Sequence, residues 1–170
     1  MTAAPAPVLA QTTATSGPYL LGAAGVGQLW DDESSLGVAT NMGGGIGYRL
    51  SPRIDVDLLV DRRDHDRRFE SGVRFDAGMI RATGRGLVYF SSGSVQPYVG
   101  GAVGAARIRR ITEFPGLPRR DGPTSATTTS AIAGVRILAD PRLFVRPEFE
   151  IGRAGEYLMI GGAVSIGWRF

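Results

Sequence analysis

Leu158-Met159-Ile160-Gly161-Gly162-Ala163-Val164-Ser165-Ile166-Gly167-Trp168-Arg169-Phe170 is the last stretch of the 170-residue sequence, and its pattern sets how the rest is read. Leu158, Ile160, Gly162, Val164, Ile166, Trp168 and Phe170 fall on one parity. Met159, Gly161, Ala163, Ser165, Gly167 and Arg169 fall on the other. Side chains of a β-strand point alternately to the two faces of a sheet, so this period of two predicts a strand with one apolar and one mixed face.

The same period recurs upstream. In residues 53–61, Ile54, Val56, Leu58 and Val60 share a face, opposite Asp55, Asp57, Leu59 and Asp61. Residues 142–151 set Leu143, Val145, Pro147, Phe149 and Ile151 against Phe144, Arg146, Glu148 and Glu150. Residues 36–50 repeat it with Val38, Thr40, Met42, Ile46, Tyr48 and Leu50. Four further strands are expected at 18–30, 77–90, 95–108 and 126–139, where many glycines and alanines blur the facing. No amphipathic helix stands out. Eight strands result, in one domain over residues 17–170.

The connections alternate between two kinds. Tight turns are expected at 51–52, 91–94 and 140–141, and open ones at 31–35, 62–76, 109–125 and 152–156. An up-and-down barrel does this when one rim carries turns and the other carries loops; in outer-membrane barrels these are the periplasmic and extracellular rims. The fold class expected is therefore all-β: an eight-stranded antiparallel transmembrane β-barrel.

A soluble barrel would turn its apolar face inward instead. Three features favour the membrane arrangement. Tyr19, Tyr48, Tyr89, Phe90, Tyr98, Trp168 and Phe170 gather near the short-turn rim, with Trp30 and Tyr157 at the other, as an interfacial girdle would. The polar face mixes opposite charges, Asp55, Asp57 and Asp61 beside Arg81 and Arg85, and Arg146 beside Glu148 and Glu150. An eight-stranded interior is just wide enough for side chains to fill, so these eight are expected to form an internal charge network. Lastly, Val164, Ile166, Trp168 and Phe170 form an aromatic-ended apolar row of the kind read by the outer-membrane barrel-assembly machinery.

Val95-Gln96-Pro97-Tyr98-Val99-Gly100-Gly101-Ala102-Val103-Gly104, Arg146-Pro147-Glu148-Phe149 and Ile166-Gly167-Trp168-Arg169-Phe170 together resemble the barrel domain of OmpA-like proteins. The resemblance spans roughly residues 17–170 in organisation and implies an eight-stranded membrane barrel. The peptidoglycan-binding domain of full-length OmpA proteins has no counterpart in this sequence.

Composition bounds the chemistry. With no cysteine, neither a disulfide framework nor a thiolate metal site is available. All 19 basic residues are arginine, the net charge is only +3, and no basic stripe with exposed aromatics points to nucleic acid. Residues 1–16, Met1–Ser16, are rich in Ala, Pro and Thr and read as a signal-peptide remnant or a disordered tail. The sole histidine, His65, lies in the charged run 61–68 and is expected in a solvated loop. Some eight-stranded outer-membrane barrels are lipid A deacylases or palmitoyl transferases with a His–Ser site. No barrel-wall histidine is available to build one here, so no catalytic residues, cofactor or metal are expected.

Arg109, Arg110, Arg119 and Arg120 cluster around the third open connection, and guanidinium forks suit phosphate. They form a candidate anion-binding rim facing lipopolysaccharide. The function expected is a non-enzymatic barrel of the bacterial outer membrane, plugged by its own side chains, acting in envelope structure or lipopolysaccharide interaction. Its partners would be outer-membrane lipids, lipopolysaccharide and the assembly machinery. The alternatives are a subunit of a larger outer-membrane assembly with a protein partner, or a small-molecule-binding or narrow-channel barrel.

Overall fold

The computed structural model describes residues 16–30, 35–68, 74–114, 117–120 and 122–170. They form β1 (Gly17–Trp30), β2 (Ser35–Ser51), β3 (Ile54–Arg68), β4 (Arg74–Tyr89), β5 (Val95–Phe114), β6 (Leu117–Arg120), β7 (Thr124–Leu138), β8 (Leu143–Ala154) and β9 (Tyr157–Arg169). All pairings are antiparallel. Eight strands close into a barrel in the order β1-β2-β3-β4-β5-β7-β8-β9, with β9 returning to β1 from Tyr19↔Arg169 to Trp30↔Leu158. The short β6 folds back onto the end of β5. Among the described residues closure leaves none of the eight barrel strands at a sheet edge, which is what a backbone in hydrocarbon requires; β6, at the end of β5, pairs on one side only.

Three of the expected open connections are shorter than their composition predicts. The 62–76 segment continues the β3–β4 ladder from Arg62↔Ile80 to Arg68↔Arg74. The 109–125 segment extends β5 to Phe114 and pairs it with β6. Charge had marked these stretches as loops, but a strand that has left the hydrocarbon can carry charge on both faces. At 20 residues β5 is about twice the ~9–11 needed to cross a bilayer at a tilt. The 152–156 segment is a tight hairpin in which Gly155 takes φ 59° and Glu156 keeps a negative φ, the backbone of a two-residue II′-type turn.

Burial follows the parity of the sequence. Outside lie Leu20, Val38, Met42, Ile46, Val56, Leu58, Val60, Val99, Val103, Phe149, Val164 and Ile166, each between 39% and 67% exposed. A soluble monomer rarely exposes a contiguous apolar patch beyond a few hundred Å², whereas this belt girdles the molecule. Only hydrocarbon suits it. Among the described residues no helix is long and apolar enough to cross a membrane, so the strands are what span it.

The aromatic girdle needs correcting. Tyr48, Phe90, Trp168 and Phe170 are exposed at the short-turn rim and Trp30 at the other. Tyr19, Tyr89, Tyr98 and Tyr157 point inward and are buried. Adjacent residues of a strand face opposite ways, so Tyr89 and Phe90 cannot both meet lipid. The inward rings lie across glycines of the neighbouring strand: Tyr19 is paired with Gly47, Tyr98 with Gly134, and Phe144 with Gly167. A Cβ at any of these three glycines would collide with the ring.

Candidate functional site

The eight residues expected to form an internal network, Asp55, Asp57, Asp61, Arg81, Arg85, Arg146, Glu148 and Glu150, all face the lumen. They sit on β3, β4 and β8. In the closed order β8 is four strands from β3 by either route, so ion pairs between them cross the barrel. The interior is layered.

The layer nearest the extracellular side holds two arginines and two carboxylates. Arg81 donates to Glu150 at 2.5 Å and to Asp61 at 2.8 Å. Arg63 reaches Glu150 at 2.7 Å and Asp61 at 3.3 Å. Below it, Arg85 meets Glu148 at 2.6 Å and Arg146 meets Asp57 at 2.7 Å. Tyr98 donates to Glu148 at 2.8 Å, and Tyr19 donates to Asp57. The third layer, at the periplasmic floor, centres on Asp55, with Arg136 at 2.6 Å and Arg49 at 3.7 Å. There Arg136 also donates to Gln96 at 2.9 Å. Gln96 in turn donates to the Gly93 carbonyl at 2.7 Å, and Arg49 donates to the carbonyls of Ser51 and Pro52. The floor therefore ties two of the tight turns to the lumen. Arg136 also stacks over Tyr89, its guanidinium carbon 4.1 Å from the ring centroid, a cation–π contact.

Arg49, Arg63, Gln96 and Arg136 were missed by the sequence reading. Arg49 had a signal: it alternates with Tyr48 and Leu50 on the lipid face and so must point inward. Gln96 and Arg136 lie on strands whose small residues hide the facing. Arg63 and His65 had been placed in a solvated loop, but both are buried on β3. The Nδ1 of His65 lies 3.3 Å from the Gly37 carbonyl. A further unforeseen element is an apolar cluster above the charged layers, Leu29, Met79, Ala106, Ile108, Ala154, Tyr157 and Met159, which seals the extracellular end of the lumen.

At mid-height, below Leu29, Tyr157 and Met159, the arc β9-β1-β2 brings few side chains inward: Gly25, Gly27, Gly43, Gly45 and Gly161 line it. A Cβ at Gly27 would lie 3.6 Å from Arg63 Nη1, so the charged layer rests against this glycine wall.

Of the candidate anion-binding rim, Arg109 faces outward and is exposed. The side chains of Arg110, Arg119 and Arg120 lie outside the described residues. Other arginines join Arg109 on the outer surface just above the apolar belt: Arg62, Arg107 and Arg153. Arg62 pairs with the exposed Asp64 at 2.9 Å. A shallow groove of about 610 Å³ crosses the outer wall over Gly84, Gly86, Gly101, Thr129 and Ala131 and ends at Arg153. Val164, Ile166, Trp168 and Phe170 form an exposed row on β9. Among the described residues no three His, Cys, Asp or Glu side chains are grouped to hold a metal.

No family model matches the chain, and no curated protein does. Solved structures do. Neisserial surface protein A superposes with a TM-score of 0.68 at 13% identity, over 92% of this chain and 99% of that one. Ail, the attachment invasion locus protein of Yersinia pestis in complex with the heparin analogue sucrose octasulfate, gives 0.67 at 13%, over 91% and 99%. The N-terminal β-barrel domain of Pseudomonas aeruginosa OprF gives 0.55 at 15%, over 92% and 100%. The fold of this chain is that of the eight-stranded outer-membrane β-barrels, as the resemblance to OmpA-like barrels implied.

Proposed function

We propose that the chain is a non-enzymatic, non-porin barrel of the bacterial outer membrane that engages the anionic lipid of the outer leaflet. The observation that carries this reading is the contrast between its two faces. The lumen is crossed by ion pairs between opposite walls and capped by apolar side chains, while the outer wall is an apolar belt topped by arginines. Ion pairs that meet across the barrel among the described residues support a lumen closed to substrate and to a hydrated path.

Outside, Arg107, Arg109 and Arg153 stand at headgroup height with no ion-pair partner among the described residues. Guanidinium groups there meet the phosphates of lipopolysaccharide, and the groove ending at Arg153 accepts an acyl chain against its glycines. The polyanion sucrose octasulfate in the Ail complex is a ligand of the same charge class.

The test joins two measurements on the refolded barrel. In planar bilayers, conductance of porin size is expected to be absent, and its presence would refute the plugged lumen. Lipopolysaccharide binding to nanodisc-embedded protein is expected to weaken about a hundredfold in the R107Q/R109Q/R153Q variant, at about 1 kcal/mol per juxtamembrane arginine. Unchanged binding in that variant, and in a variant with Arg110, Arg119 and Arg120 also replaced, would remove the lipid role and leave the barrel structural.

A further inference from the structure

The three charged layers of the lumen are not equivalent in charge. The upper layer sets Arg63 and Arg81 against Asp61 and Glu150, and the middle layer sets Arg85 and Arg146 against Asp57 and Glu148. Both balance. At the periplasmic floor Arg49 and Arg136 share one carboxylate, Asp55, and Arg169 points inward on β9 with no ion pair to a described residue. Arg49 and Arg169 flank the start of β1, where Arg169 is paired with Tyr19 and Arg49 with Gly17. Gly17 adds no side chain at the level of Arg49, the inward Tyr19 stands at that of Arg169, and the two like charges oppose one another.

At the floor, the buried polar atoms without a hydrogen-bond partner among the described residues are three guanidinium nitrogens against one carboxylate oxygen, Asp55 Oδ1, and the Tyr89 hydroxyl. Arg49 is 0% exposed, yet its Nη1 has no partner among the described residues, and neither do the buried Nε and Nη2 of Arg169. Donors without partners also occur in the middle layer, at Arg85 Nε and Arg146 Nη1, but there the charges cancel. Arg49 keeps a long ion pair with Asp55 and its bonds to the Ser51 and Pro52 carbonyls, so the unmet part is its Nη1. A buried guanidinium donor without an acceptor costs free energy, and an arginine cannot shed its charge. Aromatic faces offset part of the cost: Tyr89 lies 5.6 Å from the Arg49 guanidinium carbon as well as under Arg136. A ring quadrupole does not neutralise two charges.

We propose that the periplasmic floor is a binding site for a small inorganic anion, held by Arg49 and Arg169 with Arg136 behind them. Its chemistry is that of a halide or an oxyanion such as sulfate or phosphate, taken up from the periplasmic side past the partly exposed Arg169. The bound anion completes the charge balance of the lumen and holds β9 to β2 across β1, next to the seam where the barrel closes.

The test uses the full chain folded in detergent. Crystals soaked in sodium bromide are expected to show an anomalous peak within hydrogen-bonding reach of Arg49 Nη1 or Arg169 Nη2. In solution, exchanging gluconate for chloride, sulfate or phosphate at constant ionic strength is expected to raise the unfolding midpoint by about 4 °C at a tenfold excess over the dissociation constant. Which anion acts at the lowest concentration separates halide from oxyanion. R169Q is expected to abolish the anion dependence, whereas R62Q, on the outer surface, retains it. An anomalous map empty at the floor, or a midpoint indifferent to the anion in the parent protein, overturns the proposal. Because Arg169 is partly exposed and orphans no carboxylate when replaced, its variant folds where a change at Arg49 could fail.

Discussion

Two arcs of the barrel wall divide the work of filling the lumen. β3, β4 and β8 carry the charges of the upper and middle layers, and β9, β1 and β2 carry glycines at mid-height and aromatic–glycine pairs below, with Arg49 and Arg169 only at the floor. Neither arc is stable with a copy of itself opposite. Two charged walls would clash, and two glycine walls would leave a void across which side chains lose their contacts. The pairing of long with absent side chains is what lets an eight-stranded cylinder close without a pore.

Breaking the charged arc is expected to cost most. Glu150→Ala removes the carboxylate shared by Arg63 and Arg81, leaving buried guanidinium charge on Asp61 alone. A destabilisation of about 3–5 kcal/mol is expected, read as a lower denaturant midpoint for loss of the heat-modifiable folded band. Filling the glycine arc should cost less. Gly47→Ala places a methyl into the Tyr19 ring and beside Asp57, and about 1–3 kcal/mol is expected from overpacking. The double variant Gly47→Ala with Tyr19→Leu should recover part of that loss. If it does not, the ring is not what the glycine accommodates. The smallest effect belongs outside both arcs. Asp64→Ala breaks only the exposed pair with Arg62, so a change of about 0–1 kcal/mol is expected, and it should vanish in high salt. A loss at Asp64 as large as that at Glu150 would erase the distinction between lumen and surface.

The strand count, the facing of the regular strands and the closing role of the last strand were legible because each depends on a local period of two. Residues 53–61 and 142–151 show it plainly, and the eight charges picked from them and from 77–90 all lie inside. Reading failed where composition was allowed to override parity. Arg63 and His65 continue the inward parity of Asp61, but the charge of residues 61–68 had been taken as a loop signal. Tyr19 and Tyr98 had been assigned to lipid by their position along the strand, when only parity decides the side. The apolar seal was hidden for another reason. Leu29, Met79, Ile108 and Met159 lie one each on four strands, and no window of sequence contains two of them.

The sequence by itself determined an antiparallel barrel with an apolar exterior, because side-chain alternation is a property of each strand alone. What it left undecided is which charge meets which. Arg63 and Glu150 are 87 residues apart, and Arg146 and Asp57 are 89. Their meeting depends on the stagger accumulated around the closed sheet, which no single strand encodes. The same closure brings Arg169 beside Arg49 and concentrates at one rim an excess of positive charge that the composition spreads over the whole chain.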